Sequence, residues 1–183
     1  MLAVLASACG DRHSPSLDDK LKDAGWVKDP VADEDQPSVS DISPNSCRRL
    51  YDLLGDQQRK PDMTAGFSDS GKSLLWVKAW SQKGGGPDPT TMRREAERCP
   101  TMRMKYESAT IVYAIRVDQA SPRTTVLHLT ATDDSGARVS DMLVAGALKG
   151  MESRFIRLVN SGRLTAAERR AFMTSVRYET SLT

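Results

Sequence analysis

Two short segments of the chain carry apolar side chains at helical spacing, and each places a cysteine on its apolar face. Residues 43–55 have apolar positions three or four residues apart, serine cap candidates at the start and Gly55 at the end. Residues 88–100 begin with an Asp-Pro pair, which suits the first turn of a helix, and stop at another proline. We therefore predict two amphipathic helices that turn Cys47 and Cys99 toward one core.

The rest of the chain shows the alternating pattern and the short connections of antiparallel strands. Residues 61–67 and 72–80 are predicted to be two strands on either side of the turn 68–71. After residue 100, further β-rich runs are separated by turn residues and lie at 111–115, 125–129 and 155–159. Connections of this length favour an antiparallel meander.

A capping box formed by Thr165 and Glu168 opens a last helix, whose Phe172 and Val176 are predicted to face inward. The predicted fold is therefore α+β, a twisted antiparallel β-sheet with flanking helices, in a single domain over residues 44–183. A chain of 183 residues with 39% hydrophobic content is long enough to bury one such core.

The net charge of +2 is unevenly distributed along the chain. Residues 10–43 carry nine acidic and four basic side chains, a net charge of −5, whereas the remainder carries a net charge of +7. Because this stretch also has three prolines, residues 9–43 are predicted to be an acidic tether. Within the tether, residues 16–21 have the pattern of a short capped helix.

The first eight residues are uncharged and apolar, end in small side chains and meet Cys9, after which the chain becomes polar. This pattern is typical of the end of a signal peptide, and it resembles a bacterial lipobox, in which the cysteine after the cut receives a diacylglyceryl group. We therefore predict that residues 1–8 are a signal-peptide remnant and that lipidated Cys9 anchors the protein on the extracytoplasmic side of the cell membrane. The alternatives are ordinary secretory cleavage at the same bond, with Cys9 unlipidated, and a cytosolic protein with an apolar start.

The three cysteines of the chain leave one over when two of them pair. Lipidation of Cys9 accounts for the odd one, and Cys47 and Cys99 are predicted to form a disulfide in an oxidising compartment. Two inert buried thiols are the alternative. Because two cysteines without zinc-site spacing do not complete a site, no metal and no cofactor are predicted.

Residues 66–73 match the phosphate-binding pattern G-x-x-x-x-G-K-[ST], with Lys72 as its lysine. Such a loop has to leave a strand and open a helix, so that backbone N–H groups point at the phosphates. The residues that follow here alternate with strand periodicity instead. We therefore favour a hairpin turn, with nucleotide binding at 66–73 as a remote alternative.

The sequence lacks the G-x-S-x-G, S-x-x-K and H-E-x-x-H signatures of hydrolase chemistry. His13 falls in the predicted tether, and His128 falls in a predicted strand, where a single histidine is usually structural. Asp133 and Asp134 precede a Ser-Gly pair, which is typical of a turn rather than of a cation site. We predict that the protein is not an enzyme.

Trp76, Lys78 and Trp80 share one face of the predicted strand 72–80 and form the most suggestive binding pattern of the sequence. Aromatic faces beside a cation suit sugars, lipid head groups and other amphipathic ligands. The alternative is that both tryptophans cover the core under a helix. The basic excess of the body is suited to anionic envelope lipids or glycolipids, although the arginines of 93–98 are interleaved with glutamates, as on a solvated helix face.

Several features of the chain occur together in one known group of proteins. They are a Ser-Pro-x-x-Cys start at 43–47, Leu-Leu-Gly at 53–55, Cys-Pro at 99–100, the meander and the closing helix. In these features residues 41–181 resemble mycobacterial and related actinobacterial lipoproteins that share the fold of the extracellular sensor domain of a mycobacterial Ser/Thr protein kinase. The resemblance implies an antiparallel sheet flanked by helices, a cleft for an envelope ligand and no catalytic residues. The kinase sensor domain has two disulfides, whereas this chain can form one.

These features together predict a non-enzymatic envelope lipoprotein that binds or senses a ligand, such as a lipid or glycolipid, in a cleft between the sheet and the helices. Its partners are then the membrane, through the lipid anchor, and that ligand. Nucleic acid is not expected as a partner, because the sequence has no concentrated basic patch. The alternative is a protein–protein interaction module or scaffold at the cell envelope.

The lipid anchor is tested by the substitution Cys9→Ser. We expect this change to release the protein from membranes without unfolding it, because the acyl chains are attached to the cysteine sulfur and contribute nothing to the core. Fractionation of cells, followed by a thermal melt of the released protein, measures both effects. An unchanged membrane fraction would contradict the anchor and leave the export prediction standing.

Overall fold

The computed structural model describes residues 15–29, 39–55, 60–69, 73–81 and 85–181. Within these ranges the chain forms four α-helices: α1 (Leu17–Asp23), α2 (Arg48–Leu54), α3 (Pro89–Arg98) and α4 (Ala166–Thr180). It also forms nine strands: β1 (Val27–Asp29), β2 (Asp41–Ser43), β3 (Met63–Asp69), β4 (Ser73–Trp80), β5 (Thr101–Lys105), β6 (Thr110–Ser121), β7 (Thr124–Thr132), β8 (Arg138–Lys149) and β9 (Glu152–Asn160). None of these helices is long and apolar enough to cross a bilayer.

The nine strands make one open sheet in the order β1-β3-β4-β9-β8-β7-β6-β5-β2, and every neighbouring pair is antiparallel. Strands β5 to β9 follow one another as a meander. The β3–β4 hairpin joins the open side of β9, and β1 and β2 close the two edges of the sheet. The predicted α+β fold with a meandering antiparallel sheet is therefore confirmed.

Side chains alternate across the sheet and build one apolar cluster on each face. On one face, called face A, Ile156 and Leu158 pack with residues of α1 and α4. On the other, called face B, Phe155 packs with residues of α2 and α3. Helix α3 crosses β6, β7 and β8 closely, because a Cβ atom added at Gly146 of β8 would lie 2.7 Å from the sulfur of Met92.

A disulfide between Cys47 and Cys99 ties the start of α2 to the end of α3, with the two Cα atoms 5.1 Å apart. Both cysteines are fully buried in the face B cluster. This is the pairing that the helical patterns predict. Closing a loop of 52 residues stabilises the fold by about 4 kcal/mol on the chain-entropy model.

The described parts of the predicted tether 9–43 pack on the folded domain. This finding moves the start of the domain from the predicted residue 44 to a position before α1. Helix α1 has the predicted capping box at Ser16, and its Leu17 and Leu21 pack on face A together with Trp26. Strand β1 pairs with β3, and β2 pairs with β5. The acidic side chains of α1 lie on its exposed side, so the composition of the segment conceals an amphipathic helix. Residues 1–14 and 30–38, and with them Cys9 and the predicted signal peptide, lie outside the described residues.

A buried carboxylate, Glu168, fastens the first turn of α4 to the sheet. It accepts hydrogen bonds from the Thr165 backbone N–H at 2.5 Å, the Asn160 side-chain amide at 2.7 Å and the Ser73 hydroxyl. Burial acts to raise the pKa of Glu168, but the hydrogen bonds from Ser73, Thr165 and Asn160 outweigh it and hold the pKa below its ordinary value of 4.5.

A second buried carboxylate, Asp141 of β8, lies on the same face. Its oxygens are 2.5 Å from Nε2 of His128, 3.1 Å from the Leu164 backbone N–H, and 3.3 and 3.5 Å from the guanidinium groups of Arg138 and Arg169. Burial opposes ionisation here too, but the contacts with His128 and Leu164 keep the pKa of Asp141 below 3.8. His128 therefore has a structural partner, as expected for a single strand histidine.

The role of α1 in the core is tested by Leu21→Ala. Because the Leu21 side chain is fully buried, its truncation should lower the free energy of unfolding by about 2–5 kcal/mol. Lys22→Ala on the exposed side of the same helix is the control and should change it by less than about 0.5 kcal/mol. Urea unfolding followed by circular dichroism measures both changes. Equal unfolding midpoints for the two variants would contradict the packing of α1 in the core.

The acid dependence of stability is tested by Glu168→Gln. Because the pKa of Glu168 is lower in the folded than in the unfolded state, the unfolded state binds more protons as the pH falls. The contribution of the Glu168 charge to the free energy of unfolding is therefore complete above pH 4.5 and is lost as the pH falls through the lowered pKa. The variant should be less stable than the wild type by about 1–3 kcal/mol at pH 7, and the difference should shrink toward pH 3.

Urea unfolding at a series of pH values measures this difference. The control is Glu97→Gln, because the Glu97 side chain is 52% exposed and its ion pair with Arg93 should contribute about 0–1 kcal/mol. A constant Glu168→Gln deficit between pH 3 and pH 7 would contradict the assigned role of the Glu168 charge.

Candidate functional site

An open cavity of about 190 Å³ lies on face B, between the C-terminal end of α2 and the sheet. We call it the face-B cavity. Its walls are mainly apolar and come from α2, β5, β7 and β8, with Leu54, Met102, Met104, Leu129, Met142 and Val144 as the large members. The disulfide fixes the start of α2, and α3 covers the neighbouring part of face B. The C-terminal end of α2 therefore lies over the cavity.

Three phenol groups line the same cavity: Tyr51 from α2, Tyr106 from the connection between β5 and β6, and Tyr113 from β6. Burial raises the pKa of Tyr106 well above its ordinary value of 10, and the proximity of Tyr113 and Tyr51 acts in the same direction. Tyr106 is therefore a neutral hydroxyl at every physiological pH. The cluster offers hydrogen-bonding groups at one end of an otherwise apolar space.

Among the described residues of the cavity wall, the charged one is Arg157 on β9, which is half-buried. Its guanidinium carbon lies 5.6 Å from the centre of the Trp76 ring, a cation–π distance. Trp76 stands directly opposite Arg157 in the register of β4 and β9, and Gly66 stands opposite Trp76 on β3. The indole therefore holds the guanidinium group against the sheet at the edge of the cavity.

The three residues of the predicted binding stripe share a face as the alternation predicts, but none of them lines the face-B cavity. Trp80 is 2% exposed in the face B core, as in the alternative interpretation. The backbone of the following loop lies on its indole, because a Cβ atom at Gly85 or Gly86 would come within 2.6 or 2.5 Å of it. Lys78 is half-buried, and Trp76 contacts Arg157 of the cavity wall through its ring.

The phosphate-loop pattern 66–73 belongs to a hairpin. Residues 66–69 are part of β3, Ser73 opens β4, and Asp69 pairs with Ser73 in antiparallel register. The Ser73 hydroxyl is fully buried and bonds to Glu168 and Asn160. Because β4 is a strand, the loop opens no helix, which agrees with the hairpin interpretation. Lys72 lies outside the described residues.

The Asp-Asp pair at the β7–β8 turn has turn chemistry. Asp133 accepts hydrogen bonds from the Ser135 hydroxyl at 2.6 Å and from the backbone N–H groups of Ser135 and Ala137 at 2.9 and 3.0 Å, and these bonds, the hydroxyl's above all, hold its pKa below the ordinary value. Asp134 is 3.8 Å from Arg103. In the part of the chain that the structure describes, no three His, Cys, Asp or Glu side chains come together as metal ligands.

The sequence pattern does not predict the polar residues of the cavity, although it gives a weak signal for two of them, Tyr51 and Arg157. Tyr51 lies on the predicted apolar face of the first helix, which indicates burial but not a role. Arg157 interrupts an otherwise apolar strand run at 155–159, and a cation at such a position is a signal of a functional or paired group. Tyr106 and Tyr113 meet only through the folding of β5 and β6.

No protein-family model and no curated protein matches this chain. Among solved structures, the chain is similar to the extracellular domain of PknH from Mycobacterium tuberculosis, with a TM-score of 0.55, 13% sequence identity and 90% of each chain covered. At this identity the likeness shows a shared fold. It agrees with the antiparallel sheet and flanking helices that the resemblance to a mycobacterial extracellular sensor domain implies.

Proposed function

We propose that this protein is a non-enzymatic extracytoplasmic domain that binds or senses a small amphipathic ligand in the face-B cavity. The observation that carries the proposal is the composition of the cavity wall, in which apolar side chains adjoin three phenols and one guanidinium group. Apolar walls with a few convergent polar groups are typical of small-molecule sites.

The size of the cavity limits what it holds. A dry cavity of about 150 Å³ takes up benzene, and pockets for complete drug-sized ligands usually span about 300–1,000 Å³. A space of about 190 Å³ suits a small ligand or one end of a larger one. A chain of a lipid or glycolipid fits this description.

An extracytoplasmic location is supported by three independent features. The chain shares its fold with an extracellular domain. Its disulfide is of the kind that forms in oxidising compartments. The apolar start of the sequence that ends at Cys9 has the pattern of an export signal, and a lipid anchor there would hold the domain beside envelope lipids.

A binding role rather than catalysis is supported by the positions of the buried titratable groups. Two buried pairs, Asp141 with His128 and Glu168 with Ser73, lie on face A, where they hold α4. The sheet therefore separates these groups from the cavity. The cavity wall itself offers phenols and an arginine, which orient a ligand but do not exchange protons readily near neutral pH.

The proposal is tested by blocking the cavity with Leu54→Trp. The indole should fill the space beside α2 and reduce the ligand-bound fraction at least about tenfold, because the occupied volume is no longer available. Native mass spectrometry of protein purified from its own membranes measures the bound fraction. Leu74→Trp, at an exposed position of β4 outside the cavity, is the matched control and should retain the ligand. An empty wild-type protein, or equal occupancy in both variants, would contradict the proposal.

A further inference from the structure

Three arginines on α2 and α3 gather around one buried carboxylate, that of Glu95. Guanidinium nitrogens of Arg49, Arg94 and Arg98 lie 3.8, 3.1 and 3.8 Å from the same oxygen, Oε1 of Glu95. Arg49 belongs to α2 and the other two belong to α3, so the cluster spans the contact between the two helices. We call these three residues the arginine triad.

The arginine triad carries more positive charge than Glu95 balances. The Glu95 side chain is 4% exposed, and a buried carboxylate needs a partner that compensates its charge. Arg94 meets this need with a hydrogen bond of 3.1 Å. Among the described residues, Glu95 is the one carboxylate at ion-pair distance from the triad, which therefore keeps a surplus of two positive charges.

A neighbouring pair on α3 shows the arrangement of an ordinary solvated helix face. The charged groups of Arg93 and Glu97 are one turn apart along the helix and 2.7 Å from each other, and both side chains are about half exposed. Their charges cancel. The arginines and glutamates that alternate in the sequence are thus separated by the fold into a neutral pair and a positive triad.

The arginine triad is open to solvent and has a fixed support. The side chains of Arg49, Arg94 and Arg98 are 65, 49 and 63% exposed, so an approaching ion can reach all three. Glu95 holds their charged ends together, and the Cys47–Cys99 disulfide ties together the helix ends that carry Arg49 and Arg98. Groups that are gathered in advance lose less conformational freedom on binding, so more of the interaction appears as affinity.

The charge and the directions of the donors match a phosphate group. A phosphate monoester carries about 1.5 to 2 negative charges at pH 7, which offsets the surplus of the triad. Guanidinium groups donate paired hydrogen bonds to phosphate oxygens. Donors that come from three side chains suit a tetrahedral anion better than a planar carboxylate with a single charge.

We infer that the arginine triad is a binding site for a phosphate group, either inorganic phosphate or a phosphate monoester. The site is separate from the face-B cavity, because that cavity lies at the other end of α2 and none of the three arginines lines it. The inference therefore goes beyond the proposed function and does not depend on it. A lipid head group and a soluble phosphate share this chemistry.

Titration with inorganic phosphate tests the site. Isothermal titration calorimetry at pH 7 in about 0.15 M NaCl, where distant exposed charges are screened, should show saturable binding with a Kd of about 1 mM or tighter. Arg98→Gln should weaken binding at least about fivefold, because it removes one of the two surplus charges. Arg49→Gln, on the other helix, should have the same effect, and Arg98→Lys should recover part of the affinity.

Arg93→Gln is the matched control. It removes the same charge from the same helix outside the triad, so phosphate affinity should stay within about twofold. A thermal melt of each variant checks that it is folded. Absence of saturable phosphate binding to the wild-type protein, or an equal loss in the triad variants and Arg93→Gln, would overturn the inference.

Vesicles identify the source of the phosphate group. Phosphatidylcholine vesicles that contain phosphatidic acid present a phosphate monoester, whereas pure phosphatidylcholine vesicles do not. Co-sedimentation with the former that is lost in Arg98→Gln and kept in Arg93→Gln would support the inference with a lipid head group as the ligand. Binding of inorganic phosphate without co-sedimentation would support it with a soluble phosphate. Co-sedimentation that Arg98→Gln and Arg49→Gln leave unchanged would overturn it.

Discussion

The Cys47–Cys99 disulfide is the constraint on which the arrangement of face B depends. Helix α2 has seven residues, far fewer than the roughly 12–15 at which an isolated helix becomes marginally stable in water. It keeps its place because a buried disulfide fastens its start to the end of α3, which packs across β6, β7 and β8. The bond secures the N-terminal end of α2, and the other end, with Tyr51 and Leu54, forms one wall of the cavity.

The two faces of the sheet differ in how their polar groups are used. On face A, the carboxylates of Asp141 and Glu168 are surrounded by donors that hold the start of α4 in one position. On face B, flexible thioethers and phenols line an open space. Strand β9 joins the two, since Leu158 packs under α4 while Arg157 points to the cavity. The polar groups of face A therefore hold a helix on the sheet, whereas those of face B line a cavity.

Features that depend on neighbouring residues are predictable from the sequence, and features that depend on distant ones are not. The helix caps, the β3–β4 hairpin and the two inward cysteines follow from local patterns. The segment 15–29 is misread because its charges dominate its composition, although Leu17 and Leu21 have helical spacing. The sequence leaves Trp80 between a binding role and a core role, because nothing in its own strand shows that the glycines at 85–86 let backbone cover its indole. The cavity depends on where α2 lies over strands far along the chain.

The N-terminal segment has a further role that follows from the order of the strands. Its two short strands, β1 and β2, are the two edges of the open sheet in the described part of the chain. Without them, the seven-residue β3 and the five-residue β5 would present their unpaired backbone groups to other molecules. Three-residue strands that carry charged side chains, such as Lys28 and Asp41, are poor templates for such pairing. The segment thus protects a nine-stranded sheet from self-association at both of its open sides.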